Sequence, residues 1–177
     1  MSATPPVFTL AALNRMGRDR FVAALGDIFE HSAWVADAAW PGVPFPSVAA
    51  LHAAMVAAVR SVSPERQLDL IRAHPDLAGK AARSGTMAAN SVAEQASAGL
   101  LGLGDDEYDR FLRLNIDYRG RFGFPFIIAV RRHDKASLLA AFETRLANSR
   151  AIEIETALGE IFTITRLRLD ALLRKTV

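Results

Sequence analysis

The sequence predicts an all-α protein, and three observations carry that expectation. Apolar residues recur at three- and four-residue spacing along most of the chain. Serine, aspartate and proline stand where helix starts need them. Only one stretch, GFPFIIAV, has the composition of a strand, and no second stretch is a credible partner for it. A single compact domain over 1–177 with six to eight helices accounts for the pattern, and 177 residues suffice to bury a core without cross-links.

The elements follow in order. A short helix is expected from Thr9, then a fuller one over RDRFVAALGDIFE, where Phe21, Leu25, Ile28 and Phe29 recur at helical spacing. In HSAWVADAAWPGVPFPS the prolines Pro41, Pro44 and Pro46 interrupt regular structure. Trp34 and Trp40 are expensive to leave wet, so this segment is expected as an ordered wrap or a pocket wall. Ser47 caps SVAALHAAMVAAVR, which carries Leu51, Met55 and Val59 on one stripe and His52 as a half-buried or surface residue. SPERQLDLIRAHP opens on Ser63 as cap with Pro64 at the first helical position, and it ends near His74 because Pro75 disfavours α geometry in the residue before it.

NSVAEQASAGLLGL forms a helix that brings Ser91, Glu94 and Gln95 within about one turn. DDEYDRFLRLNIDYRGRFG has acids in its first turn and bases late, matching the helix dipole, with Gly120 and Gly123 weakening its end. Phe124 to Val130 is expected as an extended apolar segment buried against helices, its backbone amides available to a ligand. Asp134 caps KASLLAAFETRLAN, and Ser149 caps a closing helix from Arg150 toward Arg174. If Gly159 does not break that helix, Ile154, Leu158, Ile161, Ile164 and Leu172 make a broad apolar surface with Arg168 inside it. Arg166 lies about 200 degrees away around the axis, so the stripe favours Arg168 as the inward arginine.

Composition removes several function classes. No run approaches the roughly 18 apolar residues of a membrane span, and MSATPPVFTL lacks the parts of a secretory signal, so a cytoplasmic location is expected. The absence of cysteine excludes disulfides and thiolate chemistry, and His31, His52, His74 and His133 show no ligand spacing, so no metal is expected. The 21 basic residues are interspersed with 19 acidic ones without a dense stripe, which argues against nucleic-acid binding. Lys80 follows Gly79, yet there is neither a GxxxxGK[ST] loop nor a GxGxxG, which disfavours ATP and dinucleotides.

The stretch LIRAHPDLAGK holds the first candidate for chemistry. His74 is either a helix end or a proton carrier, with Asp76 or another carboxylate fixing which ring nitrogen bears the proton. Glu94 reads as an orienting acid, a proton donor or a solvent-facing helix residue. Ser91 and Gln95 suit hydrogen bonds to a urea or amide, and Arg168 suits either a substrate carboxylate or a salt bridge.

Three separated blocks, AHPDLAGK at 73–80, SVAEQASAGL at 91–100 and LNIDYRGRFGFPFIIAV at 114–130, extended by ETRLANS and ITRLRL, carry a resemblance over nearly the whole chain. They closely resemble the family of 2-oxo-4-hydroxy-4-carboxy-5-ureidoimidazoline (OHCU) decarboxylases of uric acid degradation. The resemblance implies a helical fold and cofactor-free formation of (S)-allantoin from the small-molecule substrate OHCU. It further implies His74 and Glu94 as the catalytic pair, with Ser91, Gln95, Arg168, Pro75 and the backbone of Phe126 and Ile127 on the substrate. Uricase and hydroxyisourate hydrolase are the implied pathway neighbours, and a homodimer is common in the family. The chain departs from the family pattern at Met87 and Ala88, where a capping hydroxyl is missing, at Arg131–Arg132 in place of Arg-Gly, and at its final KTV, which is not a peroxisomal SKL signal. The competing readings are a lyase or hydrolase for another ureido or cyclic amide compound, and a non-enzymatic helical interaction protein.

Overall fold

The computed structural model describes residues 8–173, and among them the chain forms ten α-helices and no strand. These are α1 (Leu10–Leu13), α2 (Arg18–Leu25), α3 (Trp34–Ala39), α4 (Val48–Ser61), α5 (Pro64–Arg72), α6 (Lys80–Ser84), α7 (Ala89–Ser97), α8 (Asp105–Phe122), α9 (Lys135–Arg145) and α10 (Arg150–Leu172). The start MSATPPV and the end RKTV, including Arg174, lie outside the described residues. By their contacts the residues group into two compact units, one running up to Gln67 and resuming at Phe162, the other spanning Leu68–Ile161.

The expected starts are where the sequence places them. The Thr9 hydroxyl accepts from Ala12 N, Ser47 Oγ from Ala50 N, and Asp134 from Ser137 N. Gly159 is accommodated inside α10. Two short helices were not expected. WVADAA and KAARS both carry helix-favouring alanines, enough for α3 and α6 to form between the breakers on either side. α3 gives way at Pro41 to a 3₁₀ turn, Trp40–Gly42, and α6 closes on Gly85 in the left-handed conformation at φ 70°. α2 stops at Leu25 rather than continuing to Glu30.

In the first unit, Phe21, Leu25, Phe29, Val35, Leu51, Met55, Val59 and Leu169 are buried. Trp40 packs edge-on against Phe21 at 5.2 Å, and Trp34 lies under the Arg66 guanidinium at 4.3 Å. Asn14 grips the backbone of Phe45 through both amide atoms, Nδ2 to the carbonyl at 2.8 Å and Oδ1 from the N–H at 2.9 Å. His52 Nε2 meets Thr165 Oγ1 at 3.1 Å, and the threonine's own proton goes to Phe162 O, so the ring nitrogen is the donor.

In the second unit, α8 buries Phe111, Asn115, Tyr118 and Phe122 at three- and four-residue spacing. Tyr118 sits among Phe122, Phe124, Phe126 and Phe142, with ring centroids 4.6–6.0 Å away. Residues 124–129 are buried without regular structure, as the sequence leads one to expect. The following 3₁₀ turn, Val130–Arg132, packs against α7.

Burial, followed by the nearby Arg166 charge, holds the His52 pKa below its ordinary 6.5. The unfolded chain therefore binds the proton more readily, and stability present above pH 6.5 is lost as pH falls through that value toward the lower folded pKa. Urea denaturation of His52→Gln at pH 7.5 and 5.5 is expected to show a smaller loss of stability on acidification than the parent; an equal loss would contradict the assignment.

Candidate active site

His74 lies just past the end of α5 and folds its ring back on that helix. Pro75 has no N–H to return to Ile71 O, so His74 N turns to that carbonyl at 3.2 Å in a tightened last turn. Leu70 O thereby loses the backbone donor that a continuing helix would supply. The His74 ring takes its place, Nδ1 lying 3.0 Å from Leu70 O. A carbonyl only accepts, so Nδ1 carries the hydrogen, and in the neutral ring Nε2 carries the lone pair. His74 is 5% exposed, which keeps this arrangement out of competition with water. The expectation that Asp76 fixes the tautomer does not hold: its carboxylate pairs with Arg119 Nε at 2.7 Å, and a backbone carbonyl does the work instead.

The loop after His74 is bound to α7 and α8. Gln95 Oε1 accepts from Ala78 N at 2.8 Å, and its Nε2 donates to Asp76 O at 3.2 Å. Asn115 Nδ2 on α8 donates to Leu77 O at 2.8 Å. These bonds hold a tight turn in which Ala78 has φ 51°, a left-handed conformation that a side chain makes unfavourable. A Cβ at Gly79 would fall 2.7 Å from Asp76 Cβ, so glycine is required there.

One turn of α7 carries Ser91, Glu94 and Gln95, all buried, at 4%, 7% and 4% exposure. The N-cap residue of α7, Ala88, makes no side-chain cap, the consequence of the missing hydroxyl at that position. Gln95 uses its amide on the loop and approaches Met87 Sδ at 3.3 Å, a weak acceptor. No group of three or more His, Asp or Glu side chains with metal-binding geometry occurs among the described residues.

A buried polar network sets the apolar segment. Arg145 donates through Nη1 to Ile127 O at 2.7 Å and pairs with Glu153 at 2.9 Å, while its guanidinium lies over the Phe126 ring at 4.3 Å. Asn148 Nδ2 and the Tyr118 hydroxyl also donate to Glu153. Burial, then the bond to Glu153, raises the Tyr118 pKa well above its ordinary range and keeps the phenol protonated. Phe126 stacks on Phe142 at 3.7 Å, so its ring belongs to the core and only its backbone is available to a ligand. The Ile127 carbonyl already accepts from Arg145, so Ile127 has chiefly its N–H to offer.

Arg168 belongs to the first unit. Its Nη1 lies 2.9 Å from Glu30 Oε2 and 3.2 Å from Ile28 O, with the two side chains 3% and 2% exposed. Arg166, by contrast, pairs with Asp170 at the surface. The structure thus bears out the choice of Arg168 as the buried arginine and supplies the ion pair offered as its other reading. In the second unit it ties Gln95 to the loop that follows His74, on the helix that carries Ser91 and Glu94. Sequence reasoning missed Glu30, Asn115, Arg145 and Glu153. An available signal was an acid closing the apolar run IFE and an asparagine four residues after Phe111 and three before Tyr118 on an aromatic face.

Known proteins resemble this chain over most of its length. A sequence model described as OHCU decarboxylase matches residues 14–170. The 2-oxo-4-hydroxy-4-carboxy-5-ureidoimidazoline decarboxylase of Haloferax volcanii is 48% identical over 91% of this chain and 94% of its own. The uric acid degradation bifunctional protein PucL of Bacillus subtilis is 44% identical over 92% of this chain, which spans only 32% of that protein. Among solved structures, an (S)-allantoin synthase superposes with a TM-score of 0.76 at 32% identity, over 94% of this chain and 54% of that one. An OHCU decarboxylase crystallised in the presence of (S)-allantoin gives 0.67 at 23% identity, over 88% and 98%, a likeness of fold. The protein belongs to the OHCU decarboxylase family.

Proposed function

We propose that this chain decarboxylates OHCU to (S)-allantoin with no cofactor, and that both of its units serve one catalytic domain, the family match running through each. The observation that carries the reading is the buried His74 ring with its tautomer set by Leu70 O, in a chain 48% identical to a decarboxylase of that name.

The substrate supplies its own electron sink. The bond from the hydroxyl-bearing ring carbon to its carboxylate breaks, CO₂ leaves, and the electron pair moves toward the adjacent C=N, whose nitrogen takes up a proton. The resulting enol gives up its hydroxyl proton as the carbonyl forms, and the ureido-bearing carbon gains one. We assign His74 Nε2 to accept the hydroxyl proton and to return a proton to one face of that carbon, a task suited to an imidazole. Glu94 orients and polarises the ring. Ser91, Gln95, Pro75 and the backbone N–H groups of Phe126 and Ile127 read the ureido and ring amides. For Gln95 the exchangeable contact is the weak one to Met87 Sδ, so it can meet substrate without releasing the loop.

Arg168 is assigned to the anionic groups of the substrate, with Glu30 orienting the guanidinium and neutralising it in the absence of ligand. A departing carboxylate is not to be held too tightly, so this contact positions more than it activates. The proposal extends to a homodimer and to a cytoplasmic protein working beside uricase and hydroxyisourate hydrolase. In support, a relative is a bifunctional protein of uric acid degradation, and no described helix is long and apolar enough to cross a membrane.

With OHCU generated in situ, the protein is expected to form (S)-allantoin in excess over the racemic background, with one CO₂ per substrate consumed. Consumption without CO₂ would indicate a hydrolase, and racemic product at the background rate would indicate no enzyme. His74→Asn should remain folded and lose about 10²–10⁴-fold in kcat; an unchanged kcat removes His74 from the mechanism.

Arg168→Ala is expected to lower kcat/KM by about 10²-fold or more, and Arg168→Lys, which keeps the charge beside Glu30 but loses the two-pronged geometry, by less. Near-parental kinetics in the alanine variant would refute the contact.

A further inference from the structure

Asn115 is 3% exposed on α8 and donates Nδ2–H to Leu77 O at 2.8 Å. The carbonyl fixes the amide's orientation, because reversing it would set two acceptors face to face. Oδ1 is then buried and accepts no hydrogen bond among the described residues. As a structural device alone this is poor chemistry: the bond gained at Leu77 is offset by an acceptor removed from water. An apolar side chain of the same size would remove the lone acceptor but would leave Leu77 O without this donor, so what the site retains asparagine for is the grip on that carbonyl.

The loop it holds explains the choice. Residues 75–79 carry the left-handed Ala78, a strain that an unrestrained loop would relax by rotating the peptides around Leu77. Pro75, with its fixed φ, links those peptides to His74 with little slack. Of the groups that grip the loop, Arg119 pairs with Asp76 where both side chains are 30% or more exposed, and it restrains weakly. Gln95 doubles as a proposed substrate contact. Asn115 is the buried grip that has no other assigned task.

We propose that Asn115 is a positioning residue for His74, holding Leu77 O so that the imidazole stays in register for proton transfer. This rests on the reading of His74 as the proton carrier.

The test compares Asn115→Asp, which keeps the shape and, above the pH at which its carboxyl ionises, cannot donate, and Asn115→Leu, which removes both the donor and the lone acceptor Oδ1. Both are assayed with in-situ OHCU alongside the parent, below their melting temperatures. The expected result is a loss of about 10–100-fold in kcat with KM changed less than about threefold, together with displaced ring-nitrogen NMR signals of His74. A purely structural role lowers the melting temperature and leaves kcat of the folded protein and the His74 signals unchanged, and that result overturns the proposal. Asn115→Asp decides the matter if Asn115→Leu does not fold. An inactive parent would sink the decarboxylase reading, whereas the NMR comparison still decides whether Asn115 positions the ring.

Discussion

The bond between the His74 ring and Leu70 O is the constraint on which the rest of the second unit's site turns. A proline after a helix normally leaves carbonyls without donors, and proteins satisfy them with glycine turns or water. Here the last side chain folds back on its own helix. The same hydrogen bond that closes the end of α5 decides which nitrogen is basic, so a local problem of helix termination is solved by the group to which we assign the proton transfer. Burial makes the arrangement durable, and the pinned loop beyond it keeps the next peptides from drifting.

A second theme is that buried charges are neutralised close by. Arg168 has Glu30, and Arg145 has Glu153, each at 2.9 Å and each nearly dry. Such pairs add little net stability, since desolvation consumes most of the attraction, but either member alone would cost about 3–5 kcal/mol. Their value is geometric. Arg145 spends its fork on Ile127 O and Glu153 and thereby fixes an irregular apolar segment that has no sheet to hold it. The Tyr118 hydroxyl and Asn148 saturate Glu153, which leaves that network with few alternative arrangements.

Most of the helices were legible because their signals are local: caps at Thr9, Ser47 and Asp134, periodic apolar faces, and the stop at His74–Pro75. The burial of 124–130 followed from a lone apolar run without a partner, and the choice of Arg168 over Arg166 from helical phase. α3 and α6 were not legible, because helices of six and five residues are fixed by packing rather than by periodicity. Nor were the partners of the site residues. That Gln95 holds a loop, that Asp76 answers to Arg119, and that Glu30 meets Arg168 are contacts across 19, 43 and 138 positions, and no local pattern encodes them.

The most direct measurement of the central claim is the tautomer of His74. Nitrogen NMR of the ¹⁵N-histidine-labelled protein, with the His74 signals identified by their loss in His74→Asn, is expected to show the hydrogen on Nδ1 and a bare Nε2 at a pH above the ring's titration. A hydrogen resident on Nε2 would mean that Leu70 O does not set the ring, and the account of His74 as a poised base would fail.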